Sequence, residues 1–358
     1  MREGKKIRNK NGQSKWTLIL TVCAFNLLFL VFFLSVSLGS VGISLKETMR
    51  FLMNHIFGIG TIDDIPQTLA TIIFNVRMPR VILAALVGAA LSAAGVAMQG
   101  LLKNPLADGS TLGITSGGAL GASLFIVSGI NIPFFPQAGL AFMSILFSFL
   151  SLILILGLTY KIDYSLSTQT IILTGVIFSM FASSLTSLLV ALSDDSLKQV
   201  VFWSMGSFSG RSWSHVKLML PVFLVGTVAL LGLSRELNAF SLGEEQARYV
   251  GVNTKKIKLL ILVIVSVLVG ISVAVSGTIG FVGLVVPHIT RLLVGPDHKK
   301  LLPLSILFGA SFLMLTDLLA RTILSPTELP IGVVTSFIGA VLFIYIFYTH
   351  SNKKVKGF

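Results

Sequence analysis

Ten apolar stretches divide this chain, each close to the length of about 20 residues that an α-helix needs to cross a bilayer. Residues 16–38, 81–102, 110–128, 138–160, 166–192, 218–234, 259–275, 279–295, 301–320 and 329–349 carry no charge or almost none, and short polar segments separate them. Two boundaries rest on brief interruptions. The apolar block 110–160 is broken only by GINIPFFPQ, and 259–290 only by Ser276-Gly277-Thr278. Each block is too long for one helix and holds two, so the pattern predicts an all-α polytopic membrane protein with about ten transmembrane helices.

Composition agrees. Hydrophobic residues make up 54% of the 358 and charged ones 11%, which excludes a soluble globule. The formal net charge of +13 raises a nucleic-acid reading, but the basic residues lie between apolar spans instead of gathering on one face or arm. Topology accounts for them better, and no nucleic-acid partner is expected. With ten spans and a cytoplasmic N-terminus, the cytoplasmic segments hold 19 of the 27 basic residues, among them Lys103, Lys161, Arg235, Lys258, Lys299 and Lys300. The outer side keeps Lys46, Arg50, Arg77, Arg80, Lys198, Arg211, Lys217 and Arg321. Residues 1–15 and 350–358 are then cytoplasmic tails around a single membrane domain, 16–349. The basic start followed by an apolar segment resembles a secretory signal, but 16–38 is long for one and lacks a cleavage site, so it reads as an uncleaved first span. One cysteine, Cys23, allows no internal disulfide.

Small residues recur inside the spans, where they permit close helix approach in lipid. Gly88, Ser92 and Gly95 share one face, Gly117 and Gly121 form a GxxxG, and Gly277, Gly280 and Gly283 open the eighth span. Each reads first as bundle packing. Their density near Pro105 and Pro287 also fits interrupted helices beside a pathway. Catalytic chemistry is missing: there is no GxxxxGK[ST] phosphate loop, no GxSxG elbow, and the five histidines have no metal-ligand spacing. No catalytic residue, metal site or cofactor is expected. An ion-coupled secondary transporter would need intramembrane ionisable groups, for which Asp317 and His288 are the candidates, both near span ends. His288 reads as a packing residue. The polar stretch 234–258, SRELNAFSLGEEQARYVGVNTKKIK, predicts two short cytoplasmic helices, the first starting near Ser241 with Glu244 and Glu245 in its first turn and ending at Gly251. Such an insertion in so compact a membrane chain suits docking of a cytosolic partner.

Four segments carry a resemblance: RMPRVILAALVGAALSAAGVAMQGLLKNPLADGSTLGITSGGALGA, SLGEEQARYVG, SGTIGFVGLVVPHITRLLVGPDHKKLLPLS and ELPIGVVTSFIGAVLFI. In order and spacing they resemble permease subunits of FecCD-type ABC importers, the type II importers of iron-siderophores, haem and cobalamin, over roughly residues 15–350. The resemblance implies a cobalamin-permease-like fold, pairing with a second permease subunit as homodimer or heterodimer, two cytosolic ATPase subunits and an extracytoplasmic substrate-binding protein. ATP hydrolysis would lie on the separate ATPase, the membrane would be the plasma membrane, and ferric siderophore is the first expectation for cargo, ahead of haem and cobalamin.

Three residue sets follow from the resemblance. Arg77 and Arg80 of RMPR and Arg321 of LLAR match arginines that face carboxylates of the binding protein; the alternative is interfacial snorkelling. Asn104 and Leu106 of KNPLA, with Thr168 and Gln169 of LSTQT, match a cytoplasmic gate. Gln169 replaces a smaller hydroxyl residue there, and Asn104-Pro105 also reads as a plain turn. Leu242, Gly243, Glu244, Ala247 and Gly251 match the motif that enters a groove of the ATPase.

Overall fold

The computed structural model describes residues 2–39, 42–58, 66–130, 136–193 and 196–355. Residues 131–135 of the GINIPFFPQ interruption, together with Met1 and residues 356–358 of the tails, lie outside the described residues. Among the described residues there is no strand. In chain order the helices are α1 (Arg2–Ser37), α2 (Leu45–Phe57), α3 (Gln67–Thr71), α4 (Met78–Leu101), α5 (Ile114–Ser128), α6 (Pro136–Ile162), α7 (Thr168–Ala191) and α8 (Leu197–Ser204). Then follow α9 (Trp213–Gly232), α10 (Ser234–Leu242), α11 (Glu244–Tyr249), α12 (Thr254–Ser276), α13 (Val282–Val294), α14 (His298–Thr322) and α15 (Ile331–Val355). Seven of the described helical runs are long and apolar enough to cross a membrane, and Ile114–Ser128, Val282–Val294 and Ile331–Tyr345 are shorter apolar helices. These runs correspond one for one to the ten predicted spans.

Three features depart from the pattern. A π-helical stretch, Ile72–Arg77, joins α3 to α4, so the second predicted span begins much earlier, as one run over Gln67–Leu101. Amphipathic α2 was not expected, although its signal stands in the sequence: Ser44 and Glu47 form a reciprocal capping box, with Glu47 N–H donating to Ser44 Oγ at 3.1 Å. In the polar insertion the two short helices are α10 and α11, broken at Gly243, so Ser241 lies near the end of the first helix instead of starting it, while Asn253 caps α12 and extends that span back to Thr254.

α4 is the central helix, flanked by α9, α12, α13 and α14. Its close neighbours are possible because small residues meet on both sides. A Cβ at Gly88 would strike the backbone of Gly309 on α14, and one at Gly95 the backbone of Gly283 on α13. Pro287 does not break α13, contrary to the reading of an interrupted helix around it; the interruption lies at Gly277–Phe281. Proline has no N–H to bond the Gly283 carbonyl. Buried Gln99 of α4 compensates, its Nε2 donating to Gly283 O at 3.4 Å and Leu284 O at 3.2 Å.

Candidate functional site

α4 has 24 residues and so is about 36 Å long. Its two ends carry the two charged clusters of interest. At the N-terminal end Arg77, Arg80 and Arg321 come together, and all three are buried, at 4%, 8% and 4% exposure. Arg80 donates from Nη2 to Asp317 Oδ1 at 2.9 Å and from Nε to Asp317 Oδ2 at 3.0 Å, while its Nη1 bonds both oxygens of Glu328 at 2.9 and 3.0 Å. Such bidentate charged pairing fixes both position and direction of the guanidinium. Arg321 sits 3.7 Å from Asp317 Oδ2 and donates to the Ser35 carbonyl. Arg77 donates to the Val36 carbonyl at 2.9 Å and to that of Ser37, so it stands at the C-terminal end of α1, where free carbonyls favour a cation. The arginines therefore do not project from the surface, and snorkelling does not describe them either. Asp317 is held between two guanidinium groups, Arg80 on one side and Arg321 on the other. His288 packs near Phe343, with ring centroids 6.3 Å apart.

The opposite end of α4 lies beside the polar insertion 234–258. Gly243 has φ +133°, open to glycine, and the Gln246 side chain fills the space a Cβ would take. This sharp corner separates α10 from α11. Leu242, Tyr249 and Val250 are exposed apolar residues around it, whereas Ala247 is fully buried and Gly251 turns the chain with φ +86°. Glu244 does not face outward: its carboxylate receives Lys258 Nζ at 2.7 and 2.8 Å. The same Nζ donates to the Leu166 carbonyl at 2.8 Å, and Lys103 Nζ donates to the Leu242 carbonyl at 3.1 Å.

Asn104, Leu106, Thr168 and Gln169, the residues matched to a gate by resemblance, lie next to the segments these lysines join. Asn104 forms a turn, its Oδ1 accepting the Leu106 N–H at 2.9 Å, and leaves Leu106 half exposed. Thr168 and Gln169 open α7, whose cap Ser167 belongs to a loop organised by Asp163. Asp163 accepts from the Ser165 hydroxyl at 2.6 Å and from the Ser167 N–H at 3.0 Å. These hydrogen bonds, led by that of Ser165, hold its carboxyl well below the usual carboxylate range. Between the two ends lies a cavity of about 520 Å³ whose wall includes Asp108, Ser110, Thr115, Ser204, Thr278 and Ser336. Among the described residues no group of His, Cys, Asp and Glu has a metal-binding arrangement.

Sequence reasoning missed Glu328 and the role of Lys258. Glu328 carries the only signal a lone acid can give, a carboxylate in the outer loop behind Arg321; Lys258 is a single cation at the threshold of an apolar span.

Comparison with known proteins follows the same lines. The chain is 47% identical over 325 residues to the uncharacterised ABC transporter permease protein YvrB of Bacillus subtilis, spanning 91% of this chain and 92% of that one. It is 38% identical to the cobalamin import system permease protein BtuC of Halobacterium salinarum, over 79% and 74% of the two chains. Other relatives are named for import of molybdate, haemin, iron(3+)-hydroxamate and Fe(3+)-citrate. A solved inward-facing structure described as a metal-chelate type ABC transporter superposes with a TM-score of 0.79 at 36% identity, covering 94% of this chain and 99% of that one. The model of the FecCD transport family matches residues 27–349, and the chain belongs to that family of multi-pass ABC transporter permeases.

Proposed function

We propose that this permease is the translocation subunit of an importer that carries ferric-siderophore complexes across the plasma membrane. Two such subunits, alike or paralogous, would pair with two cytosolic ATPase subunits below and a substrate-binding protein above. Both termini would be cytoplasmic, with residues 1–15 and 350–358 as tails. The observation that carries this reading is the separation of two ends along one buried helix, a cluster of arginines at one and an exposed apolar corner at the other, with a mainly apolar cavity dotted with hydroxyls between them. Closure of the ATPase would press on the corner formed by Leu242, Gly243, Glu244, Ala247 and Gly251. The small-residue contacts of α4 would let helices shift, and the loops carrying Asn104, Leu106, Thr168 and Gln169 would open or close the inner end. Cargo would cross a mainly apolar path with few polar side chains to discriminate it, leaving selectivity to the binding protein.

Iron chelates are favoured because relatives named for hydroxamate and citrate complexes of iron align over 96% and 90% of this chain. Haem and cobalamin are the neighbouring alternatives. Arg77, Arg80 and Arg321 are proposed to serve the dock from just beneath the surface: three guanidinium groups against Asp317 and Glu328 leave one positive charge in excess, and a carboxylate of the binding protein would displace the part-exposed Glu328 to reach Arg80. The deciding experiment is uptake of labelled ferric siderophore into vesicles containing this permease with its cognate ATPase. Accumulation that requires both ATP and the binding protein supports the proposal. Transport driven by an ion gradient without ATP overturns it, and ATP-dependent uptake of haem or cobalamin in preference to iron chelates overturns the cargo.

A further inference from the structure

We infer that Lys103 and Lys258 form a two-armed linkage that transmits movement of the coupling corner to the two gate loops. The inference rests on the proposed role of α10 and α11 as the ATPase contact, and it adds the path by which their displacement reaches the pore. Three consecutive residues of the corner supply both attachments. Leu242 offers its carbonyl to Lys103 Nζ at 3.1 Å, and Glu244, one residue past Gly243, offers its carboxylate to Lys258 Nζ at 2.7 and 2.8 Å. Each arm ends on a different loop. Lys103 directly precedes Asn104 and Leu106, and Lys258 reaches Leu166, two residues before Thr168.

The two arms differ in stiffness. Lys258 is 1% exposed, and an ammonium has three protons; here three oxygens receive them, one from the gate loop and two from the corner. A buried charge so saturated resists separation, so this arm pulls as well as pushes. Lys103 is exposed and makes one bond to the last carbonyl of α10, a position where the helix dipole favours a cation. It is a releasable arm.

Backbone geometry singles out the same two loop residues. Lys103 at φ +48° and Leu166 at φ +53° are two of three non-glycine residues with positive φ among the described residues. Branched or long side chains rarely adopt that region, and strain held there is maintained by surrounding contacts. The lysine bonds are among those contacts at both loops, beside the core packing of Leu166 and its N–H bond to the Asp163 carbonyl at 3.0 Å. A passive brace for the insertion would not need both of its anchor points in that conformation.

The test uses the full permease bound to its ATPase in nanodiscs, with Cys23→Ser and Leu106→Cys introduced. The labelling rate of Cys at position 106 by a charged maleimide is compared with and without ATP and vanadate, alongside ATPase activity and co-purification. In the parent the nucleotide state should change labelling by fivefold or more. Lys258→Met and Lys103→Met, which keep much of the side-chain bulk, should retain the ATPase and its hydrolysis within twofold while the nucleotide response of labelling falls to less than twofold. Lys103→Arg, which keeps a cationic donor, should restore the response. An unchanged response in both methionine variants overturns the linkage. Loss of the response only together with loss of the bound ATPase also overturns it, because that is the signature of a structural brace. Should the parent itself show no nucleotide response, the coupling role of α10 and α11 fails and the linkage fails with it, an outcome distinct from either variant result.

Discussion

Asp317 shows how much of this chain's charge is committed internally. It is almost fully buried between Arg80 and Arg321, and deleting one partner of a buried pair leaves the others uncompensated. Asp317→Asn is expected to destabilise the permease by about 3–5 kcal/mol, measured as loss of thermal stability in detergent. Glu328 makes the contrasting case. Its side chain is 35% exposed, and removing its charge leaves Arg80 still paired with Asp317, so its loss costs less than that of Asp317. If Arg80 docks the binding protein, Glu328 occupies the place of the incoming carboxylate. Glu328→Gln should then leave stability nearly unchanged and tighten binding-protein capture severalfold in a pull-down titration; weaker or unaltered capture speaks against Arg80 as a docking residue. The sequence presents these groups only as isolated charges, because Arg80 and Asp317 lie 237 residues apart.

At the scale of elements, close packing of α4 decides what the glycines mean. Their reading as packing residues holds at Gly88 and Gly95, where backbone of α14 and α13 occupies the space a side chain needs. Gly95→Leu should abolish a monodisperse folded product in size-exclusion chromatography. Gly157 of α6 provides the control, since nothing lies within 4 Å of a Cβ there. Gly157→Ala should be neutral or stabilising by under about 1 kcal/mol. Gln99 extends the argument to polar groups. Replacing it with leucine removes the donor that covers the Gly283 carbonyl freed by Pro287, at a cost of about 1–3 kcal/mol, readable as a lowered unfolding temperature. The period and length of apolar runs made the helices legible, but the turn at Gly243 and the π-helical stretch Ile72–Arg77 were not. Both depend on what surrounds the backbone.

For the whole molecule, the decisive arrangement is polarity along α4. Arginines at one end and the coupling corner at the other were assigned to opposite sides by charge counting, and the fold keeps them at opposite ends of one helix. Reversing both Arg77 and Arg321 to glutamate would set new carboxylates beside Asp317 as well as remove cations from the dock. The predicted loss of uptake must therefore be read together with stability, and Glu328→Gln is the cleaner probe.

The sequence by itself determined the number and approximate limits of the apolar helices, the absence of an ATP-binding phosphate loop from the chain, and the family. These follow from hydropathy and from contiguous motifs, which are local properties. Tertiary structure alone decided that the three arginines are buried around Asp317, that Glu328 closes over Arg80, and that Lys258 ties Glu244 to Leu166. Electrostatic pairing depends on which helix ends become neighbours, and that is set by how the small-residue faces of α4, α13 and α14 pack together.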